Sequence, residues 1–149
     1  MTQKNLSAWL NALIIGVGIA LPILVLILIP TGTGMHRILH TIFWSLAAVP
    51  CEIALVFSLR ISGNIRRDRS FSTENAHDLK RISILAAIDS AYLLSGGVIR
   101  FLFKADPLPM LLLAIVVSAF GIVLSVAFAA LSHLVLKAAA LQEDCKLTI

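Results

Sequence analysis

MLLLAIVVSAFGIVLSVAFAALSHLVL, from Met110 to Leu136, contains no Asp, Glu, Lys or Arg. At about 1.5 Å per residue such a run crosses a hydrocarbon core of about 30 Å, and an uninterrupted apolar stretch of this length marks a transmembrane helix. Working back toward the N-terminus, three more runs of sufficient length appear: Ala8 to Ile29, Leu39 to Leu59 and Ile82 to Phe103. The expected fold is therefore all-α. It is a polytopic membrane protein, one four-transmembrane-helix bundle over residues 1–149, with spans near 8–29, 39–59, 82–103 and 110–136.

Composition agrees with this reading. Hydrophobic residues make up 59% of the chain and charged residues 13%, against roughly 45–50% and 25% in soluble domains. Once four spans are set aside, too little chain remains for a folded soluble domain, so any chemistry sits in the bundle or on its short loops. The first apolar run ends without a small-residue cleavage site and reads as a retained span, not a signal peptide. Pro30 and Thr31-Gly32-Thr33-Gly34 close that span, and Asp106-Pro107-Leu108-Pro109 joins the third to the fourth as a tight hairpin.

The formal charge is +4 and the pI about 9.5. Lys4, Arg60, Arg66, Arg67, Arg69, Lys80, Arg81, Lys137 and Lys146 fall on one side of the predicted spans, and Arg37, Arg100 and Lys104 on the other. Cytoplasmic loops carry the excess of Lys and Arg, so both termini and the middle loop are expected in the cytoplasm. Membrane topology alone accounts for this basic balance, and direct binding of nucleic acid is not expected. Cys51 and Cys145 have neither metal-ligand nor disulfide spacing and read as free thiols.

Glu52 in the second span and Asp89 in the third are costly residues to place in hydrocarbon. Each lies about 10–12 Å from the middle-loop end at helical rise, which lets them face each other at one level. With His133 on the fourth span as a relay, they would make a proton or cation path. The plainer reading is that they bond to Ser90, Tyr92 or backbone carbonyls and hold helices together. Pro50 removes the hydrogen bond to the Leu46 carbonyl and is expected to kink the second span. Small residues recur every fourth position at Ala12, Gly16 and Ala20 and again at Gly121, Ser125 and Ala129. These are expected packing seams, used within one chain or between copies in a homo-oligomer.

The middle loop carries the cluster Arg66-Arg67-Asp68-Arg69, suited to anionic headgroups of the lipid bilayer. Ser72 reads as an N-cap with Glu74 in the first turn, so a helix is expected to begin at Thr73 and run into the third span. Catalytic motifs are absent by inspection: there is no Gly-rich phosphate loop and no nucleophile elbow, and no enzymatic activity is expected. His36, His40, His77 and His133 are divided between the two membrane faces. His36 and His40 share a helical spacing but lack a nearby carboxylate or cysteine, and neither a metal nor a cofactor is expected.

Three stretches together resemble a known family. Leu46-Ala47-Ala48-Val49-Pro50 with Ile53-Ala54-Leu55 resembles its proline-containing signature, FSTENAHDLKRI from Phe71 to Ile82 its most specific motif, and Leu141 to Ile149 its C-terminal tail. The family is that of YoaS-like bacterial membrane proteins, a four-span group under a domain-of-unknown-function label. The resemblance implies a place in the bacterial inner membrane. It also implies a role as membrane partner of a small helix-turn-helix regulator, because members are often encoded beside one. Where Glu52 stands, it implies an apolar or aromatic residue. The expected partner surface comprises Phe71, Ser72, Glu74, Asn75, Leu79, Lys80 and Arg81 with Leu147, Thr148 and Ile149 of the tail, which would extend a partner's sheet edge or, the favoured alternative, dock against the protein's own loop. The alternative function is a small proton- or ion-coupled transporter or channel component using Glu52 and Asp89.

Overall fold

Backbone N–H and C=O groups in hydrocarbon have to find partners within the protein, and a helix supplies them within one segment. The computed structural model describes residues 3–28, 35–66 and 71–147. Among them all regular structure is helical: α1 (Gln3–Leu28), α2 (Met35–Arg66), α3 (Thr73–Leu102) and α4 (Leu108–Leu147). Three are long and apolar enough to cross a membrane, over Ile38–Ile65, Thr73–Leu102 and Leu108–Cys145; the apolar stretch of α1, Ala8–Ile23, is shorter. Pro30 to Gly34, Arg67 to Arg69, Thr148 and Ile149 lie outside the described residues.

The helices run past the apolar segments that predict them. α2 and α4 contain 32 and 40 residues, because their polar ends continue the helix beyond the apolar run. α3 starts where its cap demands: the Ser72 hydroxyl accepts the Asn75 amide at 3.2 Å and satisfies one orphan donor of the first turn. Pro50 lies within α2 and Pro22 within α1 without ending either helix.

The turn from α3 to α4 is built on Lys104, a non-glycine residue at φ 54. The Lys104 amide donates to the Phe101 carbonyl at 3.0 Å and the Ala105 amide to the Arg100 carbonyl at 2.9 Å. That is the paired hydrogen bonding of a Schellman cap, a place usually filled by glycine.

Packing follows chain order. Among the described residues α1 packs on α2, α2 on α3 and α3 on α4, and no other pair of helices comes within backbone contact distance. The arrangement is thus a row and not a ring. The tightest joint is α3 with α4, made by small residues: Ala76, Ser83, Ser90 and Gly97, spaced by seven on α3, against Ser132, Ser125 and Ser118, spaced by seven on α4, and Ala114 one turn further, all buried. Ser118 Oγ donates to the Ser90 carbonyl at 2.6 Å, Ser125 Oγ to Ser83 at 2.8 Å and Ser132 Oγ to Ala76 at 2.7 Å. A Cβ added to Gly97 would come 2.7 Å from the Ala114 Cβ, and one on Gly121 would collide with Ser90 Oγ. Two backbones approach this closely only where side chains are missing.

The interior is therefore made mostly of small and polar residues, joined by Leu79, Ile82 and Leu93, and the exterior is large and apolar. Val116, Phe120, Val123 and Val126 of α4 are all exposed, the reverse of a protein folded against water. Among the described residues the seam expected on α1 is not packed: Ala12, Gly16 and Ala20 are exposed, and a Cβ on Gly16 would meet nothing within 4 Å. On α4 the expected seam holds at Gly121 and Ser125, but Ala129 faces outward. The packed face of α4 steps by four, three and four, through Ala114, Ser118, Gly121 and Ser125, and so repeats every seven residues.

Candidate functional site

Polar side chains inside an apolar protein gather at three levels along α2 and α3. At the end bearing the α3–α4 turn, Arg100 extends from α3 and clamps Asp106 with two bonds, Nε to Oδ2 at 2.6 Å and Nη2 to Oδ1 at 2.8 Å. The same Nη2 reaches His40 Nδ1 on α2 at 2.7 Å. Beneath it, Arg100 lies 5.1 Å over the Phe43 ring, which stacks on Tyr92 at 5.1 Å; the Tyr92 hydroxyl donates to the Phe43 carbonyl at 3.2 Å. Hydrogen bonding to Arg100 holds the Asp106 carboxyl below the ordinary aspartate range. This charged node ties α2, α3 and the turn together.

At mid-depth the two intramembrane carboxylates do not pair. Asp89 Oδ2 accepts from Cys51 Sγ at 3.6 Å, across the α2–α3 joint. Glu52, one residue on and so about 100° further around α2, instead turns toward α1, where its Oε2 lies 3.9 Å from a Cβ built on Gly18. Among the described residues no hydrogen bond reaches Glu52 Oε1 or Asp89 Oδ1, although both atoms are enclosed. His133 is exposed on α4, a helix that touches only α3. The expected relay of Glu52, Asp89 and His133 is not assembled.

At the opposite end, α2 and α3 border a groove of about 580 Å³ lined by Arg60, Gly63, Asn64, Glu74, His77, Asp78 and Arg81. Its floor is fixed by Asn64 Nδ2 donating to Asn75 Oδ1 at 2.7 Å. Asp78 is buried and lies 3.4 Å from Arg81, whose guanidinium sits 5.4 Å over the Phe57 ring. Phe71, next to the Ser72 cap, is 57% exposed.

The family described as protein of unknown function (DUF2975) matches the chain over residues 3–149. The chain belongs to this family. No curated protein and no solved structure is similar enough to match.

Within this DUF2975 member the expected partner surface divides. Phe71, Glu74, Lys80 and Arg81 are exposed, and Ser72 serves as the cap. Asn75 and Leu79 correct the expectation: they are 1% and 7% exposed, because the face of α3 that carries them packs inward. Leu147 ends α4 and the tail residues beyond it lie outside the described residues. Among the described residues no three His, Cys, Asp or Glu side chains are grouped to hold a metal.

The node of His40, Arg100 and Asp106 was not read from the sequence as a unit. Arg100 and Asp106 are six residues apart and carry opposite charge across an obvious turn, a signal that was available. His40 is 60 residues from Arg100, and only the packing of α2 on α3 brings it there.

Proposed function

We propose that the protein is a non-enzymatic, four-span protein of the bacterial inner membrane whose α2–α3 groove faces the cytoplasm and receives a small helix-turn-helix regulator. The observation that carries this reading is the groove itself. Exposed charges of both signs, Glu74 and Arg81, line it, and the exposed side chains of Phe71 and Lys80 lie within three residues of them along the chain. Aromatic anchors with a charged rim are the usual makings of a protein-binding patch. The floor below is held by the Ser72 cap and the Asn64–Asn75 bond, so a partner would meet a preformed surface. The excess of Lys and Arg at this end supports the orientation, and the family resemblance supports the class of partner.

The test is affinity purification of the tagged protein from gently solubilised native membranes, beside a Phe71→Ser, Glu74→Lys variant. The expected result is a small helix-turn-helix protein recovered with the wild type and at least tenfold less with the variant. Equal recovery from both, or recovery of no such protein, overturns the proposal.

A second reading rests on one specific observation, the enclosed and unpartnered oxygens of Glu52 and Asp89. Enclosed polar atoms of this kind mark substrate or ion pathways in membrane proteins. As a transporter or channel component the protein would lose flux in Glu52→Gln and Asp89→Asn variants. Unchanged proton and cation flux in reconstituted vesicles removes this reading.

A further inference from the structure

The groove between α2 and α3 sits where two apolar runs end. Arg60 follows directly on the run Leu39 to Leu59, and Arg81 directly precedes the run Ile82 to Phe103, so the groove opens at the level of the lipid headgroups. α2 presents Arg60, Gly63 and Asn64 to it, and α3 presents Glu74, Asp78 and Arg81. Each set is spaced by three and four and so shares one face of its helix. The lining carries two fixed charges of each sign, with His77 as its other ionisable group. Asp78 and Arg81 meet at 3.4 Å, whereas among the described residues no hydrogen bond or ion pair engages the exposed side chains of Arg60 and Glu74. A Cβ on Gly63 would meet nothing within 4 Å, so the missing side chain there adds to the open space. At about 580 Å³ the groove falls in the range that holds small-molecule ligands, roughly 300–1,000 Å³.

The same two helix faces continue toward the bilayer as apolar surface. Four and seven residues before Arg60 on α2 stand Val56 and Ile53, and three and seven residues after Arg81 on α3 stand Ile84 and Ile88; all four are exposed. We infer that the groove binds the headgroup of an amine-bearing, zwitterionic phospholipid, with Arg60 on its phosphate, Glu74 on its ammonium, and its acyl chains along Ile53, Val56, Ile84 and Ile88. Three features select this class of ligand. A guanidinium matches the oxygens of a phosphate. The balanced lining disfavours a headgroup that is only negative, because its phosphate would face Glu74 and Asp78 with no ammonium to offset them. The apolar faces beside the groove give acyl chains a place that a soluble phosphate compound cannot use. The inference rests on the lining of the groove and does not require the proposed partner, although a regulator that draws on Glu74 and Arg81 would compete with the lipid for them.

The experiment is native mass spectrometry of the purified full-length protein in a mild detergent, after addition of phosphatidylethanolamine, phosphatidylglycerol or chainless O-phosphoethanolamine at equal concentration. The wild type is expected to retain one phosphatidylethanolamine per chain, about tenfold more than phosphatidylglycerol, and no O-phosphoethanolamine. Two variants place the lipid in the groove. Gly63→Leu fills the groove from a position where the new Cβ has open space and where leucine favours the helix more than glycine does. Arg60→Gln removes an exposed cation that nothing among the described residues engages. Both are expected to keep the helical circular dichroism of the wild type and to lose about tenfold of the phosphatidylethanolamine retained. Equal retention of the two lipids means an unselective lipid shell, unchanged retention in both variants means a site elsewhere, and O-phosphoethanolamine bound as well as the lipid means a soluble ligand; each overturns the inference. The comparison of ligands is made on the wild type and so decides even where a variant fails to fold. No protein partner is added, so the lipid site and the partner proposal fail independently.

Discussion

Lys104 occupies a backbone conformation that an L-residue adopts at a cost of roughly 1–2 kcal/mol, in a cap that glycine fills without that cost. Lys104→Gly is expected to stabilise the solubilised protein by about 1 kcal/mol, read as a higher midpoint in thermal unfolding. Two residues on, Asp106 has a carboxyl held below its ordinary range by Arg100. A depressed acid contributes stability that is complete above the unfolded value of about 4 and is lost as pH falls below it toward the folded value. Stability measured below about pH 4 is therefore expected to drop more steeply in the wild type than in Asp106→Asn.

The element that bears most of the packing is the α3–α4 hairpin, and its seam makes two kinds of substitution unequal. Serine hydroxyls bonded between helices in a membrane contribute on the order of 0.6 kcal/mol each, so Ser125→Ala is expected to be tolerated with a loss of about that size. Gly121→Leu drives a side chain into Ser90, and overpacking of this kind costs about 1–3 kcal/mol or displaces the helix. Unfolding in a mild-to-harsh detergent titration is the measurement, with Gly121→Leu failing well before Ser125→Ala. The seam also shows what a sequence conceals. Ser118, Ser125 and Ser132 stand at an interval of seven with Gly121 between the first two. The same glycine and serine, read with Ala129, suggest an interval of four. Both phases fit the letters. Only the facing helix, with its own seven-residue series from Ala76 to Gly97, selects one.

At the scale of the whole molecule, long apolar runs made the helices legible because hydrocarbon thickness dictates their length. Their extent beyond the apolar part was not legible, since a polar helix end and a polar loop have similar composition. The direction of Asn75 and Leu79 escaped for a related reason. The first turns of α3 mix charged and apolar residues without a clean helical phase, and Asn64, which donates to the buried Asn75, belongs to another helix. The divergence of Glu52 and Asp89 escaped because equal depth says nothing about angle around α2. Charge pairs across a turn, as at Arg100 and Asp106, are within reach of sequence reading; contacts that need two helices in register are not.

The row of helices has a consequence for how the chain is made. Each helix finds its main neighbour in the segment synthesised just before it, so a nascent chain leaving the ribosome never waits for a distant segment to complete a contact already begun. Low separation between contacting segments favours fast and orderly assembly. The last helix, the most apolar of the three long enough to cross a membrane, arrives against an α3 whose serine carbonyls and glycine are already in place to dock it.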